Sequence, residues 1–278
     1  MIAVDVMGGD HAPHAVLHGA LAAAKQSIPI VLYGPQAMIH AWLAQHENDW
    51  ERYNIIIVDA PDVVAMDEDP VSAVRKKPMA SLIQAVASVA AGNALAVLSA
   101  GNSGALMAAA ALIIGRSEGI ERPAIAGFLP TAQGRVLALD LGANTECRAM
   151  HLQQFAHMGA AHLQQTQGIQ RPRVGLLSNG HEEKKGSALV KEAHVLLKTD
   201  TLNFIGNIEP ADVFEHKADV VVCDGFAGNV LLKTMEAVAA LALAHLDASA
   251  AARLSKYFSC KTPGGALLLG VKQPAIVC

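Results

Sequence analysis

Val220, Val221 and Val222 form an unbroken β-branched run that stops at Asp224-Gly225, and beyond it the apolar spacing changes. From Val230 onward, Leu231, Met235, Val238 and Ala242 fall on one helical face. A continuous run suits a strand covered on both faces, and the switch to a 3.6-residue period marks a helix. The same alternation recurs along the chain. Strands are predicted at residues 2–6, 30–33, 55–58, 94–98, 124–129, 136–141, 174–177, 203–205 and 220–223. Helical patterns lie between them, from about Pro13, across 71–91 with Gly92 closing the helix, and in an Ala-rich stretch ending near Gly115. The link T-A-Q-G-R between 124–129 and 136–141 reads as a hairpin, so some pairing is antiparallel. The expected architecture is α/β, a three-layer αβα arrangement with a mixed, mostly parallel sheet. No composition shift marks a boundary, so residues 1–278 are read as a single α/β unit or two closely joined lobes.

Composition narrows the classes. With 52% hydrophobic and 17% charged residues, a sizeable core is expected and disorder is not. A net charge of -4 leaves no basic stripe for phosphate backbones, which argues against nucleic acid as a partner. The 4 cysteines (Cys147, Cys223, Cys260 and Cys278) show no C-x-x-C and no disulfide ladder, which fits a reducing, cytoplasmic setting. The apolar stretches at 85–91 and 105–114 fall short of the roughly 20 residues of a membrane span.

Chemistry concentrates at five strand ends, where open α/β sheets collect ligands. These carry Asp5, Gly8, Gly9 and Asp10; Ser99, Gly101, Asn102, Ser103 and Gly104; Asp140 and Asn144; Gly180, His181, Glu183, Lys184 and Lys185; and Asp224, Gly225, Gly228 and Asn229. Each alone is an ordinary set of turn formers, but five together favour a shared crevice. The Ser99–Gly104 turn is the strongest phosphate candidate, because its glycines permit close approach and a helix N-terminus follows. It is neither a P-loop nor G-x-G-x-x-G, so no nucleotide cofactor is expected. Lys184 and Lys185 are the cations near the fourth strand end, able to offset an anionic substrate or to face water. Asn229 can donate to a carbonyl oxygen or cap its helix. The 12 histidines lack a ligand set, so no metal is expected; His151, His157 and His162 read as helix-surface residues. Asp67, Glu68 and Asp69 before Pro70 read as a solvated helix start, and Arg75-Lys76-Lys77 as an exposed face or a seat for an acidic partner.

Taken in order, A-V-D-V-M-G-G-D-H-A-P, S-A-G-N-S-G-A-L-M, G-I-E-R-P-A-I-A, L-D-L-G-A-N, F-I-G-N-I-E, V-C-D-G-F-A-G-N-V-L-L-K-T-M-E and G-G-A-L-L-L-G-V resemble the bacterial phosphate acyltransferase family PlsX, over nearly the whole chain. The resemblance implies a fold like that of isocitrate and isopropylmalate dehydrogenases. It implies transfer of a long acyl group from acyl carrier protein to inorganic phosphate, giving acyl-phosphate for phospholipid synthesis, with no cofactor. It also implies a homodimer, peripheral contact with the cytoplasmic membrane and a downstream glycerol-phosphate acyltransferase. Lys185 and Asn229 match the family's lysine before glycine and the asparagine of D-G-F-x-G-N, and are carried over as the catalytic pair; the remaining strand-end residues are expected to bind substrate or phosphate. The chain departs from the family at Ser178-Asn179, where an Asn-Ile pair is usual. The stretch before Gly264 is also shorter, and the family's closing elements beyond Cys278 are expected to be absent. Two alternatives stay open: a short-chain acyl-CoA:phosphate transferase, and a non-catalytic protein that binds a carrier protein or a membrane.

Overall fold

The computed structural model describes residues 1–258 and 265–278; Cys260 and Gly264, noted above, lie outside them. The strands are β1 (Ile2–Asp5), β2 (Ile30–Gly34), β3 (Ile55–Asp59), β4 (Ala96–Ser99), β5 (Ala124–Thr131), β6 (Gly134–Leu139), β7 (Arg173–Leu177), β8 (Asn203–Ile208), β9 (Val220–Val222), β10 (Ala266–Leu269) and β11 (Ala275–Val277). The helices are α1 (His14–Lys25), α2 (Gln36–His46), α3 (Pro70–Lys76), α4 (Ser81–Ala90), α5 (Ser103–Ala109), α6 (Ala149–Gln167), α7 (Ala188–Lys198), α8 (Pro210–Phe214), α9 (Gly225–Ala244) and α10 (Ala248–Phe258). The chain divides into two units, residues 1–119 with 270–278 and residues 120–269.

In the first unit the strand order is β3-β2-β1-β4-β11, every neighbour parallel. Side chains alternate across a pleated strand. Val4, Val6, Ile30 and Leu32 therefore share one face, where they pack with Leu17 and Leu21 of α1 and Ile39 and Leu43 of α2. Ala3 and Val31 take the opposite face, and α4 packs against β1 and β2 with Leu82, Val86 and Val89 buried. The helix expected across 71–91 is two helices. Pro78 has no N–H to give and disfavours helical backbone at Lys77, which leaves the helix at φ -120°, ψ 62°, so α3 ends and α4 starts afresh at Ser81. At the start of α3, Asp69 accepts from Ser72 N at 2.8 Å and Pro70 sits in the first turn. Lys77 is drawn in from the expected exposed face: its ammonium donates to Val63 O at 2.9 Å and pairs with Glu68. Helix α5 runs into a π turn, Ala110–Ile114, that Gly115 ends at φ 91°, where the sequence placed it.

In the second unit the order is β10-β5-β6-β9-β7-β8. The hairpin is present: β5 and β6 are antiparallel, with Thr131 opposite Gly134 and only Ala132-Gln133 between them. β10 is antiparallel to β5, and β6, β9, β7 and β8 are parallel neighbours. Leu137, Leu139, Val174, Leu176, Val220 and Val222 pack with Leu152, Phe155 and Leu163 of α6 and Leu197 of α7. His151 departs from its surface reading. It is 2% exposed, its Nδ1 accepts from Arg148 N at 3.1 Å, and it fixes the first turn of α6. Helix α9 is sparsely covered: of its 20 residues only Gly225, Gly228 and Ala239 are buried, while Phe226, Val230, Val238 and Leu241 are exposed. It has a mean hydropathy of 1.4, so by length and composition it could cross a membrane.

Phe155 is fully buried in the second unit's core. Phe155→Ala should remove about 3–5 kcal/mol of stability, seen as a lower urea midpoint with unchanged slope. A loss under about 1 kcal/mol would contradict this packing.

Candidate active site

In the first unit, β1 ends on Asp5, which is 2% exposed. Its carboxylate accepts from Ser81 Oγ at 2.5 Å, Ser99 Oγ at 2.7 Å and Met7 N at 3.3 Å. Burial pushes the Asp5 pKa up, and these three donors pull against it. Ser99 Oγ in turn accepts from Gly101 N at 3.0 Å, so the carboxylate holds the turn after β4 through a serine. A Cβ on Gly8 would lie 2.6 Å from Asp5 Oδ2 and 2.7 Å from Gly101 N, which is why two turns can close over the carboxylate only with glycine there. Gly9 has φ 97° and Asp10 is exposed. Asn102 caps α5 by accepting from Ala105 N at 3.0 Å, and its amide donates to the carbonyls of Ala65, Met66 and Glu68. Its side chain is thus engaged by protein. Ser103 and Gly104 form the first turn of α5, so their N–H groups have no intrahelical acceptor. Ser81 escaped the sequence reading because it is brought to Asp5 from 76 residues away; its only signal was a polar residue opening an apolar helix.

In the second unit, Asp140 follows β6 and is 0% exposed. Oδ1 accepts from Ile125 N, Gly142 N and Ala143 N at 3.1, 3.2 and 3.0 Å. Oδ2 accepts from Asn144 N at 2.7 Å and Asn144 Nδ2 at 2.8 Å. Burial raises the Asp140 pKa, opposed by these N–H donors. Asn144 also donates to Pro123 O at 2.8 Å, and its own carbonyl accepts from Gly225 N at 2.7 Å. The loop is thereby tied to the mouth of α9, where Asp224 caps Ala227 N at 2.8 Å. Gly228 has no room for a side chain: a Cβ there would lie 1.9 Å from Asp140 O. One residue on, Asn229 faces out beside Gly142, exposed and with no side-chain hydrogen bond among the described residues. The nearby thiols are poor nucleophiles. Burial, with Asp140 and Asp224 nearby, pushes Cys147 up to about 11 and Cys223 well above its usual value.

The loop after β7 closes on itself, with Gly186 N donating to Asn179 Oδ1 at 2.8 Å and Lys185 N to Glu182 O at 2.9 Å. Gly180 lets the Lys185 stem pack on the backbone, since a Cβ there would meet Lys185 Cγ at 2.9 Å. Lys184 and Lys185 are exposed, and neither ammonium has a partner among the described residues. Glu183 pairs with Lys198. His181 Nε2 lies 2.6 Å from Asp212 Oδ2, and Asp212 also accepts from Glu209 N at 2.7 Å and pairs with Lys217. Asp212 was not singled out in the sequence, where it reads as one more acid near a helix start. Among the described residues no group of three or more His, Cys, Asp or Glu side chains could hold a metal ion.

An α/β protein with glycine-bearing loops at the carboxyl ends of its strands, and a free lysine and amide on two of them, has the features of a group-transfer enzyme. The chain belongs to the fatty acid synthesis protein family, whose model matches residues 1–278. It is 42% identical over 294 residues to the phosphate acyltransferase of Geobacter sp. (strain M21), covering 100% of this chain and 83% of the relative. It is 45% identical over 294 residues to the phosphate acyltransferase of Heliobacterium modesticaldum, covering 100% of this chain and 88% of the relative. The fold is shared with a phosphotransacetylase from Streptococcus pyogenes (TM-score 0.64, 19% identity, 99% of this chain and 87% of that one). It is shared too with 4-hydroxythreonine-4-phosphate dehydrogenase from Klebsiella pneumoniae (TM-score 0.60, 16% identity, 100% and 90%). The expected α/β class, with its mixed and mostly parallel sheet, stands.

Burial works to raise the Asp212 pKa, yet Lys217, the Glu209 N–H and His181 outweigh it and bring it down to about 2. A carboxylate held below its ordinary 3.8 adds stability that is present above that value and is lost as pH falls through about 2. Asp212→Asn should therefore destabilise the protein at neutral pH, by up to about 2 kcal/mol, and flatten the acid limb of its stability curve. Parallel acid limbs for variant and parent in pH-dependent urea melts would refute this.

Proposed function

We propose that the protein transfers a long-chain acyl group from acyl carrier protein to inorganic phosphate, releasing acyl-phosphate for phospholipid synthesis. The observation that carries this reading is the full-length family match, together with two relatives above 40% identity that are named phosphate acyltransferases. In the reaction a phosphate oxygen attacks the thioester carbonyl, a C–O bond forms and the C–S bond breaks. The electron pair leaves on the pantetheine sulfur, which takes up the proton given by hydrogen phosphate. The thiolate is a good leaving group, so no strong acid is required, and charge gathering on the carbonyl oxygen is the main demand.

The residues fit that demand in separate ways. Asn229 is an uncommitted amide donor fixed at the mouth of α9, and Lys185 is an uncommitted cation on a closed loop. We assign them to the developing oxyanion and to the charge of the incoming phosphate. In the first unit, the first-turn N–H groups of Ser103 and Gly104 are backbone donors without an intrahelical acceptor. Asp5, Ser99, Asp140 and Asn144 support these groups through the hydrogen bonds described above. The high thiol pKa values favour direct attack by phosphate over an acyl-cysteine intermediate. A cytoplasmic setting, a homodimer, peripheral membrane contact and hand-over to a glycerol-phosphate acyltransferase complete the proposal. The exposed apolar side chains of α9 support a covering partner, either a second copy or a lipid surface.

Purified protein incubated with long-chain acyl carrier protein and phosphate should form acyl-phosphate, trapped as the hydroxamate. Lys185→Ala and Asn229→Ala should each lower its rate by about 10²–10³-fold, the usual cost of an oxyanion donor. Near-normal turnover in either variant removes that residue from the pair. Faster turnover of short acyl-CoA would favour the short-chain alternative, and carrier binding without product would favour the non-catalytic one.

A further inference from the structure

Beside the Lys185 loop, the second unit carries a depression of about 540 Å³ along one side of α7. Lys184, Lys191 and Lys198 line it at seven-residue intervals, with Val195 between the last two and Thr199 just beyond. Seven residues are two helical turns, so Lys191 and Lys198 stand about 10 Å apart along the axis on one face. Val195 is 64% exposed in the middle of this row, an apolar centre in a basic rim. Lys184 and Lys191 have no acidic partner among the described residues, and Lys198 pairs with Glu183, the only acid on the wall. The floor is rigid: His194 is buried, and its Nδ1 lies 2.9 Å from Asn207 Oδ1. Glu192 belongs to α7 but does not line the depression.

We propose that this depression is the docking surface for the acyl-bearing partner and takes an acidic helix of acyl carrier protein; this rests on the reading given above. Two features of the surface select that occupant. Its free positive charges complement an acidic helix, with Val195 offering an apolar contact at the centre. It is also continuous with the loop that presents Lys185, since Lys184 lines the depression and is the next residue in the chain. A carrier seated there delivers its tethered thioester beside the proposed catalytic lysine. Steering by exposed charge acts mainly on encounter, so binding should weaken as salt rises.

The test compares wild type with Lys191→Glu/Lys198→Glu and with Val195→Asp, a single change at an exposed site that spares the fold. The first measurement is binding of unacylated carrier protein at low and high salt, which needs no turnover. The second is the KM for long-chain acyl carrier protein against that for the same acyl group on free pantetheine, with acyl-phosphate trapped as hydroxamate. Both variants should bind the carrier about tenfold or more weakly and raise its KM to match, with the pantetheine KM moving less than about twofold. Arg75→Glu/Lys76→Glu, on the other basic run, should leave carrier binding unchanged. Unaltered carrier binding in the α7 variants overturns the proposal, as does an equal rise in KM for both thioesters or a loss confined to the Arg75 variant. If wild type binds carrier through α7 but forms no acyl-phosphate, the docking surface stands and the transferase reading falls.

Discussion

A buried carboxylate at the carboxyl end of a central strand is the constraint on which each unit's loops depend. Leaving such a group unpaired in an apolar interior costs several kcal/mol or forces it to take up a proton. Asp140 meets the requirement with backbone N–H groups from Ile125, Gly142, Ala143 and Asn144, and with the Asn144 amide. Asp5 meets it with two serine hydroxyls and the Met7 N–H. In both cases loop donors (Met7 for Asp5; Gly142, Ala143 and Asn144 for Asp140) join a donor from a neighbouring strand (Ser99 or Ile125). The carboxylate therefore sets loop conformation in the way that a ladder of hydrogen bonds sets a strand.

This constraint decides which polar groups remain available to a substrate. Asn102 spends its amide on three carbonyls and its oxygen on the α5 cap, and Asn144 spends its amide on Pro123 O and the Asp140 carboxylate. Gly8 lets the backbone crowd the Asp5 carboxylate and Gly228 lets α9 crowd the Asp140 backbone carbonyl, with no space for any larger residue. Among the described strand-end residues, the groups left facing outward include the first turn of α5 in one unit, and Asn229, Lys184 and Lys185 in the other. A rigid polar scaffold behind a few uncommitted donors is the arrangement that electrostatic stabilisation needs, because the donors need not reorganise as charge develops.

Much of this was legible in the chain. The buried runs 220–222 and 174–177, the hairpin and the Gly115 stop depend on local side-chain chemistry, and each is found where local chemistry puts it. Pro78 was equally visible, but a strong apolar pattern on both sides of it masked the break between α3 and α4. β10 and β11 were not anticipated, because runs as short as 266–269 and 275–277 become strands only when a neighbouring edge pairs with them. His151 looked like a surface histidine because nothing in the sequence shows that its ring folds back to the start of its own helix. The strand-end asparagines and aspartates stood out in the sequence as a recurring pattern. Their division into scaffold and free donors depends on partners such as Ser81 and Pro123, which are distant in sequence from the residues they hold.

Helix α9 brings these considerations together. Its first turn is among the most constrained parts of the second unit, held by Asn144 O on Gly225 N and by the Asp224 cap. The rest of it presents Val230, Val238 and Leu241 to the outside. Covering each such side chain is worth about 1.5–3 kcal/mol, so a face of this kind is a standing source of association free energy. Because the Asn229 end is anchored by backbone hydrogen bonds, a partner that covers the distal turns can bind without moving the amide. The helix can thus carry two tasks, one fixed by the buried carboxylate at its mouth and the other by the apolar residues further along.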